Sequence, residues 1–422
     1  MPKDDYFHKA TVPDMKILIF EQRYTSEKDP GIARFNIFAK YWAREAHSVT
    51  VVSGMINYVS GHKPHNYKRK IFFPERIKKG ITVLRVFDTV IGYSTFLGRM
   101  FSYFTYTFSS LCAGITIKRP DLIIVSSPPL FVGIVAIIIS ALKKIPFIFD
   151  VRDPWPVAAV ELGFVKNRIL IRLSYLLENY IYRKSSHTVV NSSGMLKYLI
   201  TEKGVTNKKI GLIPNPVDFE TLNSNKPKLW EKNKEWEKKF IIMYSGAHSA
   251  IYDFDTLLSV AESFDKNSEI LFVLIGDGRQ KQYIHEYINK HDIKNVLLLP
   301  PVTKTEITKH INNADICLVP VKHHKFLQYC FFTKLFDYMA LKKPIVIAAE
   351  GASARLVVDE ANCGIAVNPG NKEAFENAIL ELYQSKEKRK VLGGNGYRYV
   401  SKNISAEKLA QDYIKIIESI EQ

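Results

Sequence analysis

Cysteine is scarce in this chain of 422 residues, and its four cysteines lie far apart, at Cys112, Cys317, Cys330 and Cys363. Their spacing excludes a disulfide scaffold, and most of them stand in apolar stretches typical of a protein core. The N-terminus contains Asp4 and Asp5 and lacks the apolar stretch and cleavage site of a secretory signal. Both absences predict a protein of a reducing compartment, the cytoplasm.

Long apolar runs are also lacking. The longest extends from Leu122 to Leu142, and a Ser-Ser-Pro-Pro sequence at 126–129 interrupts it, so that its helical part begins at Leu130. That part is shorter than the roughly 20 residues that a transmembrane helix needs. The pattern predicts a strand, a proline turn and a buried helix, and no membrane span.

Acidic residues are few in the first half. Residues 1–218 contain 31 lysines and arginines against 16 acidic residues, so nearly all of the net charge of +17 lies there. Residues 63–144 hold 13 basic and 3 acidic residues. The aromatic residues among them include Tyr93, Phe96, Phe101, Tyr103, Phe104, Tyr106 and Phe108. A basic, aromatic surface fits anionic lipid headgroups or nucleic acid. A solvated basic face beside a core-packing aromatic helix is the alternative for each single residue, but the asymmetry as a whole favours a functional surface.

Short β-branched runs alternate with amphipathic stretches, which is the pattern of parallel strands connected by helices. Strands are predicted in the first half at 16–20, 48–53, 122–125, 147–150 and 187–191. They are predicted in the second half at 240–244, 270–275, 296–299, 316–319, 344–348 and 364–367. The alternation predicts an α/β protein with two Rossmann-like, doubly wound domains. Ligands of such sheets bind at the carboxyl ends of the strands, here in the cleft between the domains.

Breaks in this pattern predict the domain boundaries. Two prolines at 213–218 stop regular structure, and residues 219–239 are polar and rich in lysine. We place the first domain at 1–216 and the second at 217–403. Residues 404–422 form an amphipathic helix that is expected to pack back on the first domain.

Two glycine motifs follow predicted strands of the second half. Ser245–Ala250 contains Gly246, where a phosphate can approach the backbone, and the following helix would direct its N-terminus at a diphosphate. Ile275–Arg279 contains Gly276 and Gly278 on either side of Asp277. An ordinary turn is the alternative for each motif.

A third motif is Phe332–Ala340. On a helix, Thr333 and Asp337 lie one turn apart beside Lys334. A carboxylate suits the hydroxyls of a ribose, and an ammonium suits a phosphate. An intrahelical ion pair between Lys334 and Asp337 is the alternative.

Taken in order along the chain, the motifs resemble those of the family 4 glycosyltransferases, and most closely those of bacterial fucosamine transferase-like enzymes of surface polysaccharide assembly. In the first half the resemblance rests on Asp29–Arg34, His47–Val52, Pro120–Pro129, Val151–Pro156 and Ile213–Asp218. In the second half it rests on Tyr244–Gly246, Gly276–Gly278, Ala314–Ile316, Thr333–Ala340 and Ala361–Gly364. Each motif is short, and their common order over nearly the whole chain makes the match specific.

The resemblance implies a GT-B fold with the donor in the second domain and the acceptor in the first. It implies that Asp337 binds the ribose and that Lys334 and the Gly246 turn hold the diphosphate. The implied donor-binding residues are Gly31, Arg34, Ser245, Gly246, Gly276, Asp277, Gly278, Val302, Thr333, Lys334 and Asp337. The implied acceptor-side residues are Ser126, Ser127, Arg152, Asp153 and Trp155. Lys334, Asp153 and Arg152 are the catalytic candidates, and the resemblance implies no metal or other cofactor.

The chain departs from the family pattern at several positions. Of the two glutamates that the family places eight residues apart, the later is Asp337 here and the earlier is Tyr329. The basic pair that usually follows the Gly246 turn is missing, and Gln328 replaces an arginine of the related branch. Phosphate binding then depends on Lys334, with Lys322, His323 and His324 as candidates for further contacts.

These observations predict a retaining glycosyltransferase that moves a hexose or amino-sugar from a UDP-sugar to a lipid-linked or polysaccharide-precursor acceptor. The basic first half predicts a peripheral position on the anionic inner face of the cytoplasmic membrane. A nucleotide-sugar epimerase of the same architecture is one alternative, although no carboxylate and histidine set for proton shuttling is evident. A basic nucleic-acid-binding protein is another, although the chain lacks zinc-finger and RNA-recognition signatures. No nucleic-acid partner is therefore expected.

Overall fold

The computed structural model describes residues 14–25, 34–56, 62–91, 95–224, 236 and 238–421. These residues form two α/β units, each built around its own sheet. The predicted fold class, two doubly wound and mainly parallel units, is confirmed.

The first sheet has eight strands in the order β3-β4-β2-β1-β5-β6-β7-β8. They are β1 (Lys16–Phe20), β2 (Ser48–Gly54), β3 (Phe72–Lys78), β4 (Ile81–Val86), β5 (Leu122–Ser127), β6 (Phe147–Val151), β7 (His187–Val190) and β8 (Ile210–Leu212). All pairs are parallel except the β3–β4 hairpin. The sequence did not predict β3, β4 or β8. The reason for β3 is that it is an edge strand without a buried face, and it contains Pro74.

The second sheet has six parallel strands in the order β11-β10-β9-β12-β13-β14. They are β9 (Phe240–Ser245), β10 (Ile270–Ile275), β11 (Val296–Leu299), β12 (Ile316–Pro320), β13 (Ile345–Ala348) and β14 (Gly364–Val367). All six strands predicted for this half are present. They were predictable because most are short apolar runs that lie buried between helices.

Helices cover both faces of the two sheets. In the first unit they are α1 (Arg34–Arg44), α2 (Phe96–Thr116), α3 (Val132–Lys143), α4 (Val157–Glu161), α5 (Arg168–Lys184) and α6 (Ser193–Thr201). In the rest of the chain they are α7 (Phe219–Ser224), α8 (Phe254–Ser263), α9 (Lys281–Lys290), α10 (Lys304–Asn313), α11 (Thr333–Ala340), α12 (Ala352–Arg355), α13 (Lys372–Gln384), α14 (Lys386–Asn403) and α15 (Ala406–Glu421). Among the described helices, none has the length and apolar character needed to cross a bilayer.

The last helix, α15, packs against α1 of the first unit. The indole of Trp42 donates a hydrogen bond of 3.0 Å to the carbonyl of Ala410. The ring of Tyr413 lies 5.3 Å from that of Trp42 and 5.5 Å from that of Phe38. The chain therefore passes between the units twice, and a backbone bridge between Val217 and Ser405 joins the two crossings.

Candidate active site

A cleft of about 160 Å³ lies between the two units, where strands of both sheets end. Its lining includes Arg34, Ile37, Arg152, Asn215, Pro216, Asp218, Lys304, Thr305, Thr308, Thr333 and Asp337. Four predicted site residues, Arg34, Arg152, Thr333 and Asp337, are thus brought to one cavity. Arg152 directly follows β6, whereas Arg34 lies at the start of α1, and Thr333 and Asp337 lie on α11.

The ammonium of Lys334 lies between two tyrosine rings. Its Nζ is 3.7 Å from the ring centroid of Tyr244 and 3.9 Å from that of Tyr252. Among the described residues it has no hydrogen-bond partner. Burial lowers the pKa of Lys334 well below its ordinary value, while the faces of the rings favour the charged form. The buried Nζ of Lys334 therefore has hydrogen-bonding capacity that no described residue uses.

The Gly246 turn lies directly against Lys334. A Cβ at Gly246 would be 2.9 Å from Nζ of Lys334, and Gly246 adopts a φ of 134°. Gly276, with a φ of 154°, packs so closely that a Cβ there would be 1.9 Å from the carbonyl oxygen of Gly246. Both positions need glycine because no side chain fits between the two turns. The turns form one compact surface beside the ammonium.

The backbone of this surface is largely occupied. The amide of Gly246 donates to the carbonyl of Ile275 at 2.9 Å, and that of His248 donates to the carbonyl of Asp277 at 2.7 Å. The imidazole of His248 is buried without hydrogen bonds among the described residues, and burial lowers its pKa to about 4, with Lys334 nearby acting in the same direction. A neutral His248 therefore adds no charge to the site at neutral pH.

The helix expected after the Gly246 turn is present, and its contact with a diphosphate stays a prediction. That helix, α8, begins at Phe254, and the carboxylate of Asp253 caps its N-terminus by accepting from the amide of Thr256. A carboxylate already satisfies that end of the helix. The N-terminus of α11, by contrast, has no side-chain cap, since its cap residue is Phe332. Of these two helix ends, that of α11, the helix of Lys334, is the one without a capping side chain.

Asp337 forms an ion pair with a lysine of another helix, which the sequence of α11 alone did not indicate. Its partner is Lys304 at the start of α10, whose Nζ lies 2.5 Å from Oδ1 of Asp337, and both side chains are partly exposed in the cleft. The alternative pairing with Lys334 is therefore wrong, because the ammonium of Lys334 turns between Tyr244 and Tyr252 instead. Sequence reasoning missed Lys304 because no local pattern links residues so far apart in the chain.

Arg152 on the acceptor side is held by a buried carboxylate. Its Nη1 donates to Oε1 of Glu21 at 2.7 Å, and Glu21 follows β1. Burial raises the pKa of Glu21 to about 7, and Arg152 opposes this shift. Asp153 is exposed, yet desolvation by the surrounding protein raises the pKa of its carboxyl. The charge of Arg152 acts in the opposite direction and lowers this pKa. Sequence reasoning did not identify Glu21, since nothing in its local sequence marks it.

Arg34 lines the cleft, but its guanidinium is already bound. Its Nη2 lies 2.9 Å from Oδ2 of Asp150, and its Nη1 donates to the carbonyl of Ile213 at 2.7 Å. Tyr413 of α15 donates to the same oxygen of Asp150. Arg34 therefore joins α1, β6, the first interdomain crossing and α15, and its implied approach to the donor stays a prediction.

The other implied donor-side residues are placed as follows. Ser245 is buried, and its amide donates to the hydroxyl of Tyr338 at 2.9 Å. Asp277 and Gly278 are exposed on the turn after β10, and Val302 is half-buried before α10. Thr333 is exposed, and its hydroxyl accepts from the amide of Asn215 at 3.1 Å. Gly31 lies outside the described residues.

Two of the further candidates for phosphate contacts lie near carboxylates. Lys322 lies 3.8 Å from Asp255, and His323 lies 3.4 Å from Glu350. On the acceptor side, Ser126 and Ser127 are buried at the end of β5, and Trp155 is half-buried after β6.

Tyr329 occupies the position of the family's earlier glutamate, and its ring lies 4.7 Å from that of Tyr198 on α6. It therefore contributes to contact between the units. Within the described ranges, no group of three His, Cys, Asp or Glu side chains could hold a metal ion.

Two family models match the chain in succession. Residues 35–221 match the model described as Glycosyltransferase Family 4, and residues 225–399 match that of Glycosyl transferases group 1. An uncharacterised glycosyltransferase of Methanocaldococcus jannaschii is 27% identical over 178 residues, which are 42% of this chain and 48% of that protein. The match thus spans about half of the relative's length.

Solved structures resemble the whole chain. Sucrose-phosphate synthase from Thermosynechococcus elongatus has a TM-score of 0.75 at 15% identity, covering 96% of this chain and 99% of that one. The Anabaena protein HepE, solved in complex with UDP, has a TM-score of 0.70 at 18% identity, covering 96% and 100%. At sequence identities this low, the structural similarity establishes a common fold.

Proposed function

Since the chain belongs to the family 4 type of glycosyltransferases with the GT-B fold, we propose that it transfers a sugar from a UDP-sugar whose nucleotide binds to the second unit. The observation that carries the proposal is the ammonium of Lys334, which lies beside Gly246 and has no hydrogen-bond partner among the described residues. It lies on α11, whose N-terminus has no side-chain cap. A buried cation and an open helix N-terminus together favour a diphosphate. The complexes of Anabaena HepE with UDP and with UDP-glucose support the choice of nucleotide.

In the proposed reaction, the bond between C1 of the sugar and the diphosphate oxygen breaks. A bond forms between C1 and the acceptor hydroxyl oxygen, and the hydroxyl proton passes to the leaving diphosphate. The sugar, a hexose or amino-sugar, keeps its anomeric configuration because donor and acceptor use the same face. Negative charge develops on the leaving group, and Lys334, which becomes protonated as the donor binds, stabilises that charge from a position fixed by two tyrosine rings.

The other predicted residues receive roles from their positions. Asp337, in the cleft, is proposed to accept hydrogen bonds from the ribose once Lys304 releases it. Arg152, fixed by Glu21, and Asp153 are proposed to orient the acceptor at the ends of the first sheet. The acceptor is proposed to be lipid-linked or a polysaccharide precursor at the cytoplasmic face of the membrane, which the basic first half supports. The closer resemblance to fucosamine transferases stays a prediction.

UDP is expected to raise the thermal unfolding temperature more than GDP, ADP or TDP, and the UDP-sugars are expected to do the same. A ligand that binds only the folded protein at one hundred times its Kd stabilises it by about 2.7 kcal/mol. A thermal-shift screen measures this directly. No response to any nucleotide, or epimerisation of a UDP-sugar without an acceptor, would contradict the proposal.

Asp337→Ala is expected to weaken UDP binding about 10- to 100-fold, since hydrogen bonds to charged groups contribute roughly 1.5–3 kcal/mol. Lys304→Met, which frees Asp337, should leave the affinity unchanged or raise it up to about fivefold, because partly exposed ion pairs contribute at most about 1 kcal/mol. Calorimetric titration of both variants measures the two affinities. An equal loss of UDP affinity in the two variants would contradict the assignment of ribose binding to Asp337 alone and would indicate that Lys304 also contacts the nucleotide.

UDP-glucose binding is expected to be accompanied by proton uptake at Lys334. Burial lowers the pKa of this lysine in the free protein, and a diphosphate beside it favours the charged form. The complex then holds more protons than the free protein, so the affinity rises as pH falls from the ordinary lysine pKa of about 10.4 towards the lowered value. Calorimetry in buffers of different ionisation enthalpy measures this uptake, which Lys334→Met should abolish. A binding enthalpy independent of the buffer would argue against the contact.

A further inference from the structure

The helix α2 exposes a continuous apolar stripe to solvent. Its large apolar side chains with exposed fractions of 51% to 78% are Leu97, Phe101, Phe104, Phe108 and Ile115. Steps of three, four and seven residues place them on one side of the helix. Tyr106 is buried on the opposite side and donates to the carbonyl of Val52 in β2. The aromatic segment of the sequence is therefore divided between the core and an exposed surface.

A second stripe runs along α5. Its exposed residues are Ile169, Leu170, Leu173, Leu176 and Tyr180. Ile181 of the same helix is fully buried against the sheet. The spacing of these residues would also fit a helix whose apolar side faces the core, but in the structure the stripe faces solvent.

Helix α3 joins the two stripes into one surface. Side chains of α2, α3 and α5 share one apolar core on the same side of the first sheet. The ring of Phe131, just before α3, lies 4.6 Å from that of Phe104 on α2. Ile134, Ile137 and Leu142 on the outer side of α3 are partly or fully exposed. We call this surface the α2–α3–α5 face.

The α2–α3–α5 face is basic and has no exposed acidic side chain on its helices. Helices α2 and α3 contain no Asp or Glu. The one acidic residue of α5, Glu178, is buried and lies 2.5 Å from Lys203. The basic residues of the three helices are Arg99, Lys143, Arg168, Arg172, Arg183 and Lys184. This charge is complementary to an anionic surface.

We propose that the α2–α3–α5 face docks the protein on an anionic lipid bilayer. The apolar side chains enter the headgroup region, and the basic side chains contact lipid phosphates. A patch of this extent is unusual on a monomeric soluble protein. Nucleic acid offers no partner for exposed leucine and isoleucine, since single strands bind by aromatic stacking and charge. A second copy of the chain would place like charges opposite each other.

The inference deepens the proposed function and rests on its membrane-held acceptor, because it assigns the side of the first unit that faces the bilayer. The test is co-sedimentation of the full chain with vesicles of phosphatidylcholine and phosphatidylglycerol. Phe108→Glu/Leu173→Glu, at positions 70% and 55% exposed, is expected to lower the partition coefficient at least about tenfold. Arg168→Gln/Arg172→Gln is expected to lower it about fivefold per residue.

The matched control is Val358→Glu/Val391→Glu in the second unit, at positions 42% and 49% exposed. It adds the same charge and should leave vesicle binding unchanged. Equal binding of Phe108→Glu/Leu173→Glu and the wild-type protein, with both folded by thermal unfolding, would overturn the proposal. A second outcome would also overturn it: the wild-type protein binds no vesicles, forms a dimer in sedimentation equilibrium, and loses that dimer on the substitutions Phe108→Glu/Leu173→Glu.

Measuring the thermal shift by UDP on the same variants distinguishes a failure of this inference from a failure of the proposed function. Loss of vesicle binding with an unchanged thermal shift by UDP supports docking through this face. The protein could also bind vesicles, lose that binding on the substitutions Phe108→Glu/Leu173→Glu, and show no thermal shift with any nucleotide. That outcome would support the docking face and overturn the proposed sugar transfer.

Discussion

Lys334→Met is expected to lower kcat of sugar transfer about 10²- to 10³-fold at saturating donor, which is the effect of removing one preorganised group that stabilises developing negative charge. The side chain of Lys334 is fixed between Tyr244 and Tyr252 before the donor arrives. Methionine is similar in length and packs well against aromatic rings, so the substitution removes chiefly the charge. Because Nζ has no hydrogen-bond partner among the described residues, no protein group is left unpaired. The thermal unfolding temperature should stay unchanged or rise.

Lys325→Met provides the matched control. Lys325 is exposed in the short 3-10 helix Lys325–Tyr329, shortly before α11, and its loss removes the same charge from the surface. Its kcat should stay within about twofold of wild type, since the charge of an exposed side chain is largely screened by water and salt. Equal turnover of the two variants at saturating donor would show that Lys334 does not stabilise the leaving group.

Arg34→Met is expected to lower the free energy of unfolding of the first unit by about 3–5 kcal/mol, the cost of removing one partner of a buried ion pair. Arg34 and Asp150 are both almost fully buried and lie 2.9 Å apart. Burial raises the pKa of Asp150, and Arg34 opposes this shift. Without the guanidinium, the carboxylate keeps the hydroxyl of Tyr413 as a donor but loses its counter-charge, and the carbonyl of Ile213 loses the donor that Arg34 supplied. Urea unfolding measures the loss.

The same helix offers a matched control. Arg44 of α1 pairs with Glu220 at 2.7 Å, but both side chains are about half exposed. Arg44→Met should therefore change stability by at most about 1 kcal/mol. The double variant Arg34→Met/Asp150→Leu should recover much of the loss, because it removes both buried charges together. An Arg34→Met variant as stable as Arg44→Met would contradict the importance of burial at this pair.

Local patterns predicted most of the fold. Buried parallel strands such as β9 and β10 are short apolar runs, and the helices between them repeat apolar residues at helical spacing. The β3–β4 hairpin escaped prediction because an edge strand with a proline and no buried face has no such signal. The glycines at 246 and 276 were recognisable, since a strand end followed by glycine indicates close backbone approach.

The candidate site was only partly predictable. Lys334 and Gly246 could each be identified from their motifs, but their adjacency results from the packing of α11 beneath the turn after β9. Glu21 and Lys304 have no distinguishing local sequence, and they matter because the fold places them against Arg152 and Asp337.

The sequence by itself determined the α/β class, the two doubly wound units, the family and the concentration of basic charge in the first half. These properties depend on composition, on short-range periodicity and on the order of motifs, all of which are local along the chain. Only the tertiary structure decided which carboxylate pairs with which cation, and whether the apolar stripe of α5 faces the core or solvent. Those outcomes depend on which elements lie side by side, and periodicity defines the face of a helix without defining what covers it.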